Sequence, residues 1–531
     1  MERIFDYIII GAGSAGCVLA NRLSASGKNQ VLLLEAGGPD KDPNIHIPAA
    51  FSKLFKGRLD WGISSIPQEH VNNREMYQPR GKVLGGCSST NAMIYIRGHR
   101  ADYDHWASLG NQGWAYHDVL PYFKRSEQQQ VIQNEFHGTS GELTVDQQRS
   151  PNLLSKTLIK AAVEAGYEQQ EDFNGAIQEG FGYYQVTQKN GQRCSAAKAF
   201  LKPALSRNNL TVETKAYVEK IQLDNKQARS VRYRKNGQRY EAHAGREILL
   251  SAGAFGSPQL LMLSGIGASQ ELRQYNIPVE HDLPGVGKNL QDHLIGGVAT
   301  RTNYRWSLDS TERFPYVIAH LLNYLFRRRG PLTSNVAEVG GFVRSLPDLS
   351  APDLQYHFGP VFFIDHGFNK PRGNGYSFGP TLIQPKSRGA VTLASANPEE
   401  LPLVDPQYYS HPDDMATMIR GYRIAVDILN QAAFGPYRQA LHLPERPLTD
   451  EGEIADFFRE WSQTLYHPVG TCKMGKDEMA VVDDQLRVHG IRGLRVADAS
   501  IMPTITRGNT NAPTIMIGEK AADLVLATSA Q

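Results

Sequence analysis

The chain has 531 residues, more than one compact core accommodates, so two domains or one elaborated double domain are expected. With 41% hydrophobic and 21% charged residues and a net charge of +2, it reads as an ordinary globular protein and gives no reason to expect nucleic-acid binding. Four scattered cysteines (Cys17, Cys87, Cys194, Cys472) form no CxxC pair, which argues against a disulfide framework or a structural zinc site and points to a reducing compartment; no metal is expected.

The N-terminus, MERIFDYIIIGAG, has an apolar run too short for a signal peptide, and it leads into a glycine turn rather than a cleavage site. No stretch reaches the length of a transmembrane helix, so a cytoplasmic protein is expected. The run Tyr7–Ile10 predicts a strand buried on both faces. GAGSAG (11–16) then opens a helix whose inward face is Val18, Leu19, Ala20 and Leu23, and a second strand ends at Glu35. In this strand–turn–helix setting Gly11 permits the tight turn, Gly13 lets the backbone approach a pyrophosphate, and Gly16 allows close helix–strand packing. The helix N-terminus supplies amide donors for phosphates, and Glu35 lies where an acidic side chain holds a ribose diol. A dinucleotide site follows. Glu35 disfavours NADP, and the motif leaves NAD and FAD open.

The next dense segment is QPRGKVLGGCSSTNAMIYIRG (78–98), whose crowded glycines exclude an uninterrupted helix and let amides reach a flat ligand. Strands recur at LTVETKAYVEKI (210–221) and REILLSAG (246–253), and Ser257-Pro258 is read as a helix start. GVGKNLQDH (285–293) follows. Between 300 and 460 the texture becomes richer in proline, aromatics and irregular polar stretches. Inside it, 313–332 carries Val317, Ile318, Leu321, Leu322, Leu325 and Phe326 on one helical face, followed by Arg327, Arg328 and Arg329. Two readings stand side by side: a peripheral seat on the cytoplasmic face of an anionic membrane, or a buried helix capping a channel or an oligomer contact. The segment TLYHPVGTCKMG (464–475) fixes His467 on a constrained stretch, and a histidine suits acid–base work near neutral pH. VADASIMPTITRGNTNAPTIMIGEKAADL (496–524) follows, and the closing ATSAQ reads as disordered.

Together these segments, with VTQKNGQR (186–193), LTSNVAEVGGFVRS (332–345) and NTNAPTIMIGE (509–519), resemble the glucose–methanol–choline (GMC) family of flavoprotein oxidoreductases over nearly the whole chain. The similarity leans toward bacterial dehydrogenases of aliphatic primary alcohols, with choline dehydrogenases nearby. It implies FAD rather than NAD. It also implies an α/β fold, α+β overall: a Rossmann-like FAD domain of discontinuous segments (1–154, 201–300, 463–531) with an inserted substrate domain (155–200, 301–462) on an antiparallel sheet.

The resemblance implies that His467 is the base and Asn511 its partner, orienting the substrate oxygen; Asn511 also precedes Pro513, as a helix cap would. FAD contacts are expected at Gly11, Gly13, Ser14, Ala15, Gly16, Glu35 and Ala36. A second set is expected at Val83, Gly86, Asn91, Ala92, Met93, Val218, Ala252, Asp498, Ala499 and Asn509. Glu338 and Tyr466 are substrate candidates, Glu338 alternatively a structural strand residue. Thr90 stands where some relatives carry a flavin-linked histidine, so FAD is expected to be non-covalent. The implied reaction oxidises a primary, aliphatic, medium-length alcohol to the aldehyde, with electrons passed to a quinone or another carrier. Choline oxidation and an oxygen-using alcohol oxidase are the alternatives.

Overall fold

The computed structural model describes residues 3–529, and two sheets organise them. The first has seven strands. Arg3–Ile10 runs parallel between Val31–Glu35 and Gln238–Leu250, and Leu210–Thr214 and Leu494–Val496 extend the parallel set. Ala216–Asp224 and Gln227–Lys235 complete the sheet as an antiparallel meander onto Gln238–Leu250. Tyr7, Ile8 and Ile9 and Val31 to Leu33 have no exposed surface, as continuous apolar runs in a doubly covered sheet require. The helix Ser14–Ser24 buries Val18, Leu19, Ala20 and Leu23 and packs against the final helix, Asn511–Ser529. Ala527 to Ser529 therefore continue a helix rather than a disordered tail, and Ala530 and Gln531 lie outside the described residues.

The second sheet has eight strands, antiparallel throughout, in the order Arg438–Leu443, Val298–Thr302, Gly375–Leu382, Leu354–Gly359, Val339–Val343 and Gly180–Tyr183. Leu294–Ile295 and Gln463–Thr464 pair onto it. The helices Leu153–Glu164, Pro412–Asn430 and Glu451–Trp461 cover one face around Phe181, Tyr356, Phe358 and Phe378. The opposite face looks toward the first sheet, and the cavity lies between them.

Two expectations need correction, and of two readings left open one is narrowed. The chain enters the second sheet at Leu294, before the expected boundary at 300, because Leu294–Ile295 pairs with both Gly375–Leu382 and Gln463–Thr464; the latter pair likewise belongs to this sheet. The helix expected at Ser257-Pro258 spans Gly253–Leu263, starting earlier because the Asp498 carboxylate accepts from Gly253 N–H and the Ser257 hydroxyl. The 313–332 segment does form a helix, Tyr316–Arg327, but its apolar side chains are exposed rather than buried.

Candidate active site

A single elongated cavity of about 400 Å³ runs from Glu35 and Gly11, past Gly13 and Asn91–Met93, to His467. At its first end, geometry explains the glycines. A Cβ on Gly16 would lie 1.9 Å from the Gly11 carbonyl oxygen, and one on Gly11 2.4 Å from that of Ser251. A Cβ on Gly13 meets nothing closer than 4.0 Å, so the space beside it is open for a ligand. The helix that begins at Ser14 has no side-chain cap and no acidic residue in its first turn, which leaves its amides free to face an anion. Glu35 accepts from Ala12 N–H (2.9 Å) and Gly37 N–H (2.7 Å), and burial pushes its carboxyl up to about 7. Open backbone, unpaired helical amides and a carboxylate together fit the pyrophosphate and ribose of a dinucleotide.

Ser14, Ala15, Ala36, Gly86, Asn91, Ala92, Met93, Val218, Ala252, Ala499 and Asn509 line the same cavity. Asp498 also lines it, but its carboxylate is consumed by Gly253, Ser257 and Ser500, so its side chain braces the wall. Gly16 serves packing. Val83 is not in the lining at all: it is fully buried among Ile45, Leu54 and Leu59. Arg193 supports the loop from beneath, donating to the carbonyls of Ile45 and Ser88 and to Asn91 Oδ1.

At the other end, the chain around His467 is held from several sides. Val469 and Gln291 exchange backbone hydrogen bonds, and Leu465 N–H donates to the His293 carbonyl. Asp292, buried, accepts at Oδ1 from His467 N–H (2.8 Å) and His293 N–H (2.9 Å), and at Oδ2 from the hydroxyls of Tyr408 and Thr464. Four donors on one carboxylate fix both histidine backbones at once.

The His467 ring touches two partners. Asn509 Nδ2 lies 3.2 Å from its Nε2, and His293 Nδ1 lies 3.0 Å from its Nδ1. With the amides oriented so that Asn509 Oδ1 accepts from Gln355 Nε2 (3.1 Å), Asn509 turns its donor to His467. His467 Nε2 is then an acceptor, Nδ1 carries the proton, and His293 Nδ1 accepts it. Burial, with positive charge on His293, His357 or Arg80 adding to it, holds His467 well below the ordinary histidine range; His293 and His357 are pushed down to about 3 by burial. His467 is thus a neutral ring with a defined tautomer.

Asn509 and Asn511 both line the cavity with His467. Asn511 accepts from the Ser14 hydroxyl (2.8 Å) at the start of the final helix, and the residue beside His467 is Asn509, two positions earlier and outside that helix. Glu338 does not line the cavity. It is buried just before the strand Val339–Val343, with Asn152 N–H, Ser155 and Ser334 all donating to it at 2.6–2.7 Å. Tyr466 does line the cavity, its hydroxyl 2.7 Å from His366 Nδ1. His293, His357 and Asp292 went unnoticed in the sequence. The adjacent Asp292-His293 was visible in GVGKNLQDH, but its meaning depends on Leu294 pairing with Thr464, which no local pattern reveals.

The remaining lining is mostly apolar: Phe51, Phe55, Ile295, Phe363, Leu443 and Leu465 among others. Asp365 adds a carboxylate, but an exposed one. Among the described residues no group of three or more His, Cys, Asp or Glu could hold a metal ion.

Models of the N- and C-terminal parts of GMC oxidoreductase match residues 5–295 and 385–518. An alcohol dehydrogenase (acceptor) of Pseudomonas putida is 47% identical over 528 residues, covering 98% of this chain and 96% of its own. An oxygen-dependent choline dehydrogenase of Brucella anthropi is 44% identical over 524 residues, covering 98% and 95%. Among solved structures, pyridoxine 4-oxidase from Mesorbium loti superposes with a TM-score of 0.88 at 31% identity over 98% of both chains.

Proposed function

The chain belongs to the GMC oxidoreductase family, whose members use FAD and act on alcohols, and from that premise we propose that it oxidises a neutral, aliphatic, medium-length primary alcohol to the aldehyde. The observation that carries this reading is the Asn509–His467 pair at the inner end of a largely apolar cavity. An alcohol oxygen that displaces the direct Asn509–His467 contact accepts from Asn509 Nδ2 and donates its proton to the freed lone pair of His467 Nε2. The neutral ring is ready for that proton without first losing one. Gly11, Gly13, the Ser14 helix end and Glu35 hold the adenine-side half of FAD, and Asn91, Ala92 and Met93 bound the flavin's part of the cavity. Bound there, FAD supplies the acceptor for the hydride from the carbinol carbon. FAD is held without a covalent bond, since Thr90 lacks a nucleophilic ring nitrogen. Electrons leave to a quinone or similar carrier, in keeping with the acceptor-linked relative.

A second reading, choline, draws on Asp365 beside Phe51, Phe55 and Phe363, an acid with aromatic neighbours that suits a quaternary ammonium. Glu338, a substrate candidate in the sequence, is bonded away from the cavity, and Asp365 is open to water, so the neutral alcohol is preferred. Anaerobic mixing of the flavin-loaded protein with 1-octanol and, separately, with choline distinguishes the two. Bleaching of the flavin band by octanol supports the first; bleaching by choline alone replaces it with the second. Admitting air afterwards shows whether oxygen serves as acceptor.

A further inference from the structure

The helix Tyr316–Arg327 is mounted the wrong way round for a helix bathed in water. Its inward side is polar: Tyr324 is buried with its hydroxyl against the His46 carbonyl, and His320 and Asn323 are half-buried beside it. Its outward side is apolar: Leu321, Leu322 and Leu325 are exposed, and Phe326 is 83% and the preceding Phe314 80% exposed. Among the described residues, nine of the 24 exposed large apolar side chains fall between Trp306 and Phe326. Such a contiguous patch marks a contact with something other than water.

Charge selects the partner. Arg305, Arg327 and Arg329 border the patch, all exposed, and none meets a carboxylate among the described residues. The neighbouring Glu312 is occupied by Lys53 and Lys370, and Asp309 is directed inward to Gly375 N–H and Ser307. A second copy of this chain would set these unpaired arginines against one another. An anionic lipid surface satisfies them and takes up the apolar side chains.

We propose that the outward face of Tyr316–Arg327, with Phe314 and Trp306, seats the protein on an anionic bilayer as a monotopic contact. No helix among the described residues is long and apolar enough to cross a membrane, so the contact is in-plane. The position has a use. Tyr324 is fastened to His46, just before the turn Pro48–Leu54, whose Phe51 lines the cavity and meets Phe363. The seat therefore adjoins the cavity rim, where a lipid-dissolved alcohol or acceptor would enter. The seat itself does not depend on which alcohol is oxidised.

The test is sedimentation of the flavin-loaded protein with vesicles of phosphatidylcholine containing phosphatidylglycerol, and with phosphatidylcholine alone. Wild type is expected to pellet with the anionic vesicles, less so as salt is raised. Arg327→Gln/Arg329→Gln should weaken that binding by about fivefold for each arginine. Leu321→Glu/Leu325→Glu should abolish it while keeping bound flavin and turnover with a water-soluble dye as acceptor. Wild type remaining in the supernatant with both vesicles overturns the proposal. So does a vesicle-independent dimer that Leu325→Glu dissociates, since the face would then be covered by a second copy.

Discussion

The Nδ1 atoms of His293 and His467 lie 3.0 Å apart, their ring planes at 90°. A neutral histidine here takes the place that a carboxylate holds in many acid–base pairs, fixing the tautomer of His467 without adding negative charge. His293→Ala should therefore lower kcat by about 10- to 100-fold, with KM and flavin content little changed. His293→Asn, which restores an acceptor oxygen, should recover part of the loss. A KM change without a kcat change would assign His293 to substrate binding instead.

The depressed histidines set a pH dependence. His293 and His357 are held at about 3 and His366 at about 4, and His467 is also well below its ordinary value. Between those values and the unfolded value near about 6.5, the unfolded chain binds protons that the folded chain does not. Stability is therefore full above about pH 6.5 and declines as pH falls below it, by about 1.4 kcal/mol per pH unit for each such histidine. For the same reason the acid limb of the kcat profile should lie below about pH 6.5. Denaturant titrations and rates from pH 4 to 8, roughly the range in which histidines report, check both; an acid limb above 7 would show that His467 is charged at rest.

Asn509 and Asn511 are separable. Asn509→Ala removes the donor at His467 Nε2 and should cost about 10²- to 10³-fold in kcat, as loss of an oriented donor to a reacting oxygen does. Asn511→Ala removes the contact with Ser14 at a helix start and a side chain of the cavity wall. It should weaken FAD retention or stability by about 1 kcal/mol and leave kcat within a few fold. The reverse ranking, measured on flavin-loaded protein, would restore Asn511 as the partner.

Gly13 and Gly16 make an opposite pair. Gly16→Ala forces a Cβ to within 1.9 Å of the Gly11 carbonyl and should prevent folding of the strand–turn–helix or cost at least about 3 kcal/mol. Gly13→Ala meets no protein atom closer than 4.0 Å, so the protein should fold normally yet lose FAD. Thermal denaturation together with the flavin-to-protein absorbance ratio reads both.

These contrasts also show what the sequence could disclose. The first strand, glycine turn and Glu35 were legible because every element of that unit is local and each glycine has its own steric reason. His467 stands out in the sequence by its constrained setting and the family resemblance. What separates Asn509 from Asn511 was not legible: two asparagines two residues apart look alike until the helix start at Asn511 turns its side chain toward Ser14 and leaves Asn509 beside His467. His293 and Glu338 depend on partners 174 and 183 residues away, which no pattern of period or spacing conveys.

Glu338 provides a test of that distinction. Glu338→Ala leaves two buried hydroxyls and the part-buried Asn152 N–H without their acceptor and should destabilise the fold by about 2–5 kcal/mol. Glu338→Gln should restore much of the stability. In neither variant should the ratio of kcat/KM for octanol to that for choline move more than about twofold. A large shift in that ratio would return Glu338 to the substrate site.

The most direct measurement compares wild type with His467→Ala, both loaded with FAD, in anaerobic single-turnover mixing with 1-octanol, followed near about 450 nm where oxidised flavin absorbs. Wild type should bleach, and the variant should bleach about 10²- to 10⁴-fold more slowly at equal flavin content. Equal rates in the two proteins would contradict the assignment of His467 as the base that takes the alcohol proton.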